Sequence, residues 1–421
     1  MEGDFLSFTS YFLSLSPYFI LCSVICMLLC FLAINMYIRL KYGFWYYQPV
    51  FHAYDFRYYF FPCGVVQNEL PEKNKFINFQ EIKTLRFHEL PSHKIQQFVN
   101  FIVQHFHRQG SNIYLPSEKN VVPYFTHHRE KHPCWISFFE TKTTLHDIDQ
   151  KKMIDDEKII GVMTTRPLQI FFTKSEIMFP LYYVDYLCVD KAYRKKNIAP
   201  QIIQTHEYVQ RHKVKDISVS LFKREGELTG IVPLTVYSSY CFDAERFWKR
   251  TPPPLPNEYN WIEGNSQNMH HVVAFFQEMR DLFQIMVQPE NPLAHLLHLI
   301  QTENIYISIV MFQHEIQAVY CFKRSCMLID REKEALTCFA SVKNDSCSQE
   351  LFVRGFKTSV WKTMKKNPVF GFCVIENVSH NHILINHLRK KTPVMATCPT
   401  AYFLYNYVTP TVPPHEILVI L

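Results

Sequence analysis

The stretch VDYLCVDKAYRKKNIAP at residues 184–200 gives the clearest indication of how this chain folds. Its first residues are β-branched or aromatic and predict a strand, and a helix is predicted to begin at Ile198 with Pro200 in its first turn. Backbone N–H groups at a helix start lack internal partners and lie at the positive end of the helix dipole, so this turn can bind a pyrophosphate. Arg194, Lys195 and Lys196 add positive charge. A basic turn of this kind is more often only a solvated cap, and the stretch alone leaves both interpretations open.

The composition predicts a large folded protein. The chain has 421 residues, of which 48% are hydrophobic and 19% charged, which argues against intrinsic disorder and coiled coils. A formal charge of +6 argues against a nucleic-acid partner. With only 10 glycines, the sequence contains no Walker loop and no dinucleotide-binding fingerprint.

Residues 18–38, YFILCSVICMLLCFLAINMYI, carry no charge and are long enough to cross a bilayer core of about 30 Å. We predict a retained transmembrane helix here, preceded by a short N-terminal segment at 1–17. A cleaved signal peptide and a buried core helix are the alternatives. Arg39 and Lys41 follow directly, so the positive-inside rule predicts a single-pass membrane protein with the body of the chain facing the cytosol.

Thirteen cysteines without a CxxC pair fit reduced thiols better than disulfides or a zinc site, so no metal is expected. His128 and His132 stand four residues apart in HHREKH, which we interpret as a solvated basic stretch because it has no HExxH order.

The soluble part is predicted to contain two α/β units. The first has a helix over about 93–110, strands at 135–140, 157–163 and 180–190, and the helix that begins at Ile198. Stacked prolines in RTPPPLP, residues 250–256, predict a linker. Beyond it, helices and strands alternate again, starting with a predicted helix over 272–286. The apolar ending EILVIL is expected to be buried.

Five segments in the same order resemble the eukaryotic-type glycylpeptide N-myristoyltransferase family. GFWYYQPV resembles its FWxxQPV motif, and the stretch at 184–200 resembles its INFLCVHKKLRSKRLAP signature. Three further segments resemble family motifs: TGIVPLTVYSSYCF at 229–242, ENVSHNHILINHLRKK at 376–391 and YFLYNY at 402–407. The sequence is therefore identified as a divergent member with an N-terminal membrane anchor.

The resemblance implies an α/β fold of two GNAT-like (N-acyltransferase) halves with mixed sheets flanked by helices, preceded by the transmembrane helix. It implies an N-terminal half over 41–250 that binds acyl-CoA, and a C-terminal half over 251–421 that binds peptide and ends in a buried C-terminus. It also implies myristoyl-CoA as co-substrate, proteins or peptides with N-terminal glycine as partners, and transfer of myristate to the glycine amine.

The site residues are likewise implied by the resemblance. The backbone amides of Tyr186 and Leu187 correspond to the family's oxyanion hole, which needs no particular side chain. The base corresponds to the terminal carboxylate, here that of Leu421, since a glycine amine with a pKa of about 7.7–8.0 needs little more than a proton acceptor. The residues implied in coenzyme binding are Gly43, Phe44, Trp45, Leu187, Cys188, Val189, Lys195, Lys196, Asn197, Ile198 and Ala199.

Several positions depart from the family pattern. Asn197 stands where the family usually has glycine, and Asp185 where it usually has asparagine. HRQGSN at 107–112 replaces an acidic loop, and MATCPTA at 395–401 replaces a glycine-rich turn, so a changed set of peptide substrates is expected. Two alternatives to an active N-myristoyltransferase remain: a catalytically silent membrane protein that binds acyl-CoA or a myristoylated partner, and an acyltransferase with another acyl chain or a lysine acceptor.

Overall fold

The architecture of the chain comes from a computed structural model, which describes residues 2–106, 112–147, 152–248 and 250–420. For residues 2–17, 41–42, 143–147 and 152–156 it describes the backbone only. The chain divides into two compact units, Met1–Val50 and Phe51–Leu421.

The first unit is dominated by one long helix, α1, at Glu2–Tyr42. Within it, Tyr18–Leu40 is long and apolar enough to cross a membrane, and most of its side chains are exposed, although Ile38 is only 6% exposed. A signal sequence would pass the same test of length and composition. A short 3-10 helix, Trp45–Tyr47, follows α1.

The second unit holds the other described helices and all the described strands. The helices are α2 Ser92–His105, α3 Glu118–Val121, α4 Ile198–Lys213, α5 Ala244–Phe247, α6 Met269–Glu278, α7 Pro292–Gln301, α8 Gln349–Lys366 and α9 Asn381–Leu388. The strands are β1 Gly64–Val65, β2 Ile82–Arg86, β3 Ile113–Tyr114, β4 Trp135–Asp147, β5 Lys152–Phe172, β6 Ile177–Val189, β7 Ser220–Glu225, β8 Thr235–Asp243, β9 Tyr259–Glu263, β10 Ile285–Pro289, β11 Ile305–Phe312, β12 Glu315–Ile329, β13 Lys333–Lys343, β14 Phe370–Glu376, β15 Ala396–Tyr405, β16 Tyr407–Val408 and β17 Ile417–Val419.

Nearly all of these strands form one mixed sheet. Its central order is β17-β10-β5-β6-β7-β15-β8-β14-β13-β12-β11-β9, with β4 and β2 extending from β5. Among the described strands the pairs β6/β7, β10/β17 and β13/β14 are parallel and the other pairs of this sheet are antiparallel. This is the α/β architecture with mixed sheets that the sequence predicted.

The sheet interlocks the two predicted halves. Strand β8 lies between β14 and β15, although β8 precedes residue 250 and the other two follow it. In the same way β10 and β17, which both follow residue 250, extend the sheet beyond β5. Each half therefore completes the hydrogen bonding of the other, and the division at residues 250 and 251 stays a prediction.

Helices α2 and α4 pack on opposite faces of the sheet around β5 and β6. Phe98 and Ile102 of α2 join Val162 in one buried cluster. Ile198 and Ile202 of α4 join the other face of the same strands in a second cluster. Residues alternate between the two faces of a strand, so consecutive residues of β5 serve both clusters.

The predicted helix over 272–286 is too long. Helix α6 ends at Glu278 and a 3-10 turn ends at Leu282, after which Ile285 begins β10. The apolar residues 285–287 form a strand because β5 on one side and β17 on the other provide hydrogen-bond partners for their backbone groups. Helix α7 was not predicted, although Pro292 at its first position was an available signal.

The packing of α4 on β5 can be tested by substitution of Gly161. A Cβ at this position of β5 would overlap Cδ1 of Ile202 and lie 3.3 Å from Cγ2 of Ile198, both on α4. We expect Gly161→Ala to destabilise the protein by about 1–3 kcal/mol because α4 must move. Ile202→Val removes the overlapping atom and alone should cost about 0.5–1.5 kcal/mol.

Thermal unfolding of the full chain in detergent micelles, followed by near-UV circular dichroism, gives the measurement. The double variant Gly161→Ala/Ile202→Val should unfold at a higher temperature than Gly161→Ala alone. Additive losses in the double variant would contradict close packing of α4 on β5.

Candidate active site

The sheet opens between β6 and β7. These parallel strands pair only from Tyr182 to Val184, which lie opposite residues 220–222. Strand β6 then continues to Val189 while pairing with β5 on its other side. In the part of the chain that the structure describes, residues 185–189 therefore have a ladder partner on one side only.

The backbone N–H groups of β6 point alternately toward β5 and toward the opening. Tyr186 N–H donates to Oγ1 of Thr164 on β5 at 3.1 Å, where an irregularity interrupts the ladder. Asp190 N–H also donates to β5, to a carbonyl at 2.9 Å. Because alternate amides point to opposite neighbours, the N–H groups of Leu187 and Val189 face the opening. Of the two predicted oxyanion amides, Leu187 is directed at the opening and Tyr186 is held by Thr164.

The side chains of residues 187–189 face the protein interior. Leu187 and Val189 pack in the cluster beneath α4, and Cys188 packs in the cluster beneath α2. Burial raises the pKa of the Cys188 thiol to about 12, so it is not a thiolate nucleophile near neutral pH. Only the backbone of this segment remains to meet a ligand in the opening.

A tight turn connects β6 to α4 and is stabilised by its own side chains. The Asp190 carboxylate accepts from Ala192 N–H at 3.0 Å. Arg194 donates to the carbonyls of Val189 and His105, at 3.2 and 2.8 Å. The Arg194 guanidinium therefore holds the turn together as well as adding charge.

The end of the turn has the backbone geometry that an anion site requires. Lys195 and Asn197 both adopt left-handed conformations, with φ of 63° and 58°. Asn197 is the N-cap of α4, and no side-chain hydrogen bond caps this helix start. Lys195, Lys196 and Asn197 are exposed, whereas Ile198 is buried. Left-handed residues before a helix turn successive N–H groups toward one point, which is typical of phosphate-binding turns.

An ion pair lies at the start of the opening. The Arg166 guanidinium on β5, 1% exposed, donates to the Asp185 carboxylate on β6 at 2.9 Å. The rings of Tyr124 and Tyr183 lie within 5.5 Å of the guanidinium carbon. Burial raises the pKa of Asp185 even though Arg166 opposes this shift. The Asp185 side chain is 14% exposed and precedes the predicted oxyanion amides of Tyr186 and Leu187 in β6.

Sequence analysis missed a second group of charges across the opening. The Glu376 carboxylate, 2% exposed, accepts from Lys223 at 3.0 Å and from the Tyr237 hydroxyl at 2.7 Å. Lys323 lies 3.8 Å from the same carboxylate. Burial lowers the pKa of Lys323, while Lys223 and Lys323 hold the pKa of Glu376 below its usual value against the effect of burial. Lone charges inside apolar strand patterns were the signal for this group.

The remaining predicted site residues lie elsewhere or outside the described residues. Gly43, Phe44 and Trp45 belong to the first unit, where the two aromatic rings lie 5.1 Å apart. Leu421 lies outside the described residues, as do residues 107–111. The preceding strand is fixed: Ile420 is 1% exposed and its N–H donates to the Val287 carbonyl at 2.8 Å.

Two sequence interpretations change here. His132 is not in a solvated stretch, because it is 5% exposed and bonded to Glu290 at 2.5 Å and to Asp216 at 3.0 Å. Residues 395–401, expected to form a reshaped loop, enter strand β15, whose Pro399 lies opposite Ser238.

Comparison with known proteins agrees with this geometry. Residues 143–233, which contain β5, β6, the turn and α4, match the family model described as Myristoyl-CoA:protein N-myristoyltransferase, N-terminal domain. A comparison with curated protein sequences finds no match.

Solved structures share the fold at low identity. A Saccharomyces cerevisiae N-myristoyltransferase with bound myristoyl-CoA is 11% identical, with a TM-score of 0.65 over 90% of this chain and 99% of that one. A second Saccharomyces cerevisiae N-myristoyltransferase structure with bound myristoyl-CoA is also 11% identical, with a TM-score of 0.66 over 90% of this chain and 94% of that one. A tandem GNAT protein from the clavulanic acid pathway is 10% identical, with a TM-score of 0.52 over 79% and 100%. The chain thus has the fold of these proteins, with two GNAT-like halves, and its residues 143–233 match the N-terminal domain of the N-myristoyltransferase family.

Proposed function

We propose that this chain is a membrane-anchored N-myristoyltransferase that moves a myristoyl group from myristoyl-CoA to the N-terminal glycine amine of proteins. The observation that carries the proposal is the opening between β6 and β7, where Leu187 pairs with Met163 of β5 but, in the described residues, with no residue of β7. Directly after it, the left-handed turn at Lys195 and Asn197 leads into the start of α4. Together they offer donors for a thioester oxygen and for the coenzyme's pyrophosphate.

Further support comes from the relatives. The family model that matches residues 143–233 is named for a myristoyl-CoA:protein N-myristoyltransferase, and two of the similar yeast structures contain myristoyl-CoA. We propose that the coenzyme's pyrophosphate binds at Lys195, Lys196, Asn197, Ile198 and Ala199. The acyl-thioester is assigned to the backbone of residues 187–189. Gly43, Phe44 and Trp45 are assigned to the same co-substrate from their motif.

The chemistry needs few side chains. The glycine amine attacks the thioester carbonyl, the carbon–nitrogen bond forms, and the coenzyme thiolate leaves when the carbon–sulfur bond breaks. The Leu187 amide donates to the carbonyl oxygen as it gains negative charge. The Tyr186 amide joins it by exchanging its bond to Thr164, which lies 3.1 Å away. Asp185 adds a second polar contact for the amine.

The proton of the amine is assigned to the terminal carboxylate of Leu421. Strand β17 is parallel to β10, which pairs antiparallel with β5, and β5 pairs antiparallel with β6. Strand β17 therefore runs toward the same edge of the sheet as the open end of β6. A carboxylate that is partly desolvated at this edge gains the basicity needed to accept a proton near neutral pH.

The membrane assignment rests on Tyr18–Leu40, which has the length and composition of a spanning helix. Arg39 and Lys41 place positive charge on the side of the catalytic unit, which favours a cytosolic orientation. Retention at a membrane would concentrate the protein where acylated products collect.

The function is tested by incubating the full chain in detergent micelles with myristoyl-CoA and peptides that begin with glycine. We expect mass spectrometry to find one myristoyl group on the glycine nitrogen, because an α-amine has a much lower pKa than a lysine amine and a larger share of it is deprotonated near neutral pH. The control peptides carry an acetylated N-terminus and an internal lysine.

Modification of the control lysine would favour the alternative acyltransferase. Binding of myristoyl-CoA without turnover on any peptide would favour the catalytically silent protein.

The base is tested by adding one residue after Leu421. We expect kcat to fall about 10²- to 10⁴-fold, which is the usual contribution of a general base, while the Kd for myristoyl-CoA stays within about twofold. The matched control is Leu421→Met, which keeps both the carboxylate and an apolar side chain. Unchanged turnover by the extended chain would refute this assignment.

A further inference from the structure

An exposed group of aromatic side chains lies where the second unit begins. Phe56, Tyr59 and Phe60 are 59%, 74% and 82% exposed. We call these three residues the aromatic ridge. Their exposed surface is of the order of 400 Å², which is comparable to the largest apolar patch of a typical soluble monomer. Nothing in the proposed transfer reaction uses them.

The segment that carries the ridge is fixed to the rest of the second unit by ring contacts and hydrogen bonds. Phe51 packs against Phe61 with their ring centroids 5.2 Å apart, and the Tyr58 hydroxyl donates to the Thr409 carbonyl at 3.2 Å. Backbone bonds join residues 51–53 to residues 230–232, and the Asp55 carboxylate caps the short helix that carries the ridge. The inner rings therefore anchor the segment, and the ridge faces away from the core.

The chain itself restricts what can cover the ridge. Tyr42 ends the helix that contains the candidate span, and Phe56 follows fourteen residues later. Even fully extended, this connection reaches at most about 50 Å. If Tyr18–Leu40 crosses a bilayer, this connection keeps the ridge within about 50 Å of the end of the span and so within reach of the bilayer surface.

The chemistry of the ridge suits the interface of a bilayer. Phenylalanine and tyrosine rings collect at the level of the lipid headgroups, where an apolar ring and a polar hydroxyl are both satisfied. Arg57 lies within the same short helix, is 72% exposed at its side chain and is bonded to Asp55. A basic side chain beside aromatic rings is typical of segments that lie on membranes.

We propose that the aromatic ridge is a second membrane contact, which inserts Phe56, Tyr59 and Phe60 into the headgroup region of the bilayer that holds the span. The proposal rests on the membrane anchoring in the proposed function. Two contacts restrict the orientation of the catalytic unit on the membrane, which one flexible tether cannot do.

The test places the photo-reactive residue benzoylphenylalanine at single positions of the full chain in phosphatidylcholine nanodiscs. Phe60 reports on the ridge and Leu29, 60% exposed within the candidate span, reports on the anchor. The control is Val369, which is 38% exposed and follows α8. After irradiation, mass spectrometry detects lipid adducts. Each variant is first required to unfold at the temperature of the unmodified chain.

We expect lipid adducts at positions 29 and 60, with at least tenfold fewer at position 369. Adducts at position 29 without adducts at position 60 would overturn the ridge proposal and leave the anchor intact. The absence of adducts at both positions would overturn both. A cross-link at position 60 to a second copy of the chain would identify the ridge as a protein interface and also overturn the proposal.

Discussion

The separation of β6 from β7 after Val184 is the constraint on which the rest of the structure depends. In a continuous sheet every backbone donor of β6 would be paired, and a ligand would have no amide to contact. Here β5 alone holds residues 185–189 in place, with Thr164 satisfying the Tyr186 amide at the irregular point of the ladder. The free side of β6 can therefore remain open without loss of order.

The charged groups stabilise the two edges of this opening. Arg166 and Asp185 lie on the β5/β6 side, while Lys223 and Glu376 lie on the β7/β14 side. Each pair is buried enough that removing one partner typically costs about 3–5 kcal/mol. The interlocked halves add stiffness, because β8, which precedes residue 250, pairs with β14 and β15, which follow it.

The architecture was largely readable from the sequence because its signals are local. The run at 184–200 predicted a strand, a basic turn and a helix, and β6 and α4 confirm this order. The left-handed conformation that a turn without glycine requires is adopted by Asn197, with φ of 58°. The sequence was insufficient where pairing between distant strands decides the local structure. Ile285 follows residues with a helical pattern, but it belongs to strand β10, which pairs with β5 and β17. The same limit applies to His132, whose buried partner Glu290 lies 158 residues away.

The candidate site, like the fold, was only partly predictable from the sequence. Backbone groups are fixed by the local fold, so the Leu187 amide and the helix start could be located from the motif alone. The Arg166–Asp185 pair and the Glu376 group could not, because they bring together strands that are distant in sequence. Their charges place both carboxylates and basic side chains at the edges of the opening.

The most direct test of the central claim is a crystal structure of the full chain with a myristoyl-CoA analogue in which a ketone replaces the thioester, so that the carbonyl oxygen is kept and transfer is blocked. The account predicts this oxygen within about 3 Å of the Leu187 amide nitrogen, and the pyrophosphate against the amides at the start of α4. An analogue bound elsewhere, with β6 and β7 still separated and empty, would contradict it.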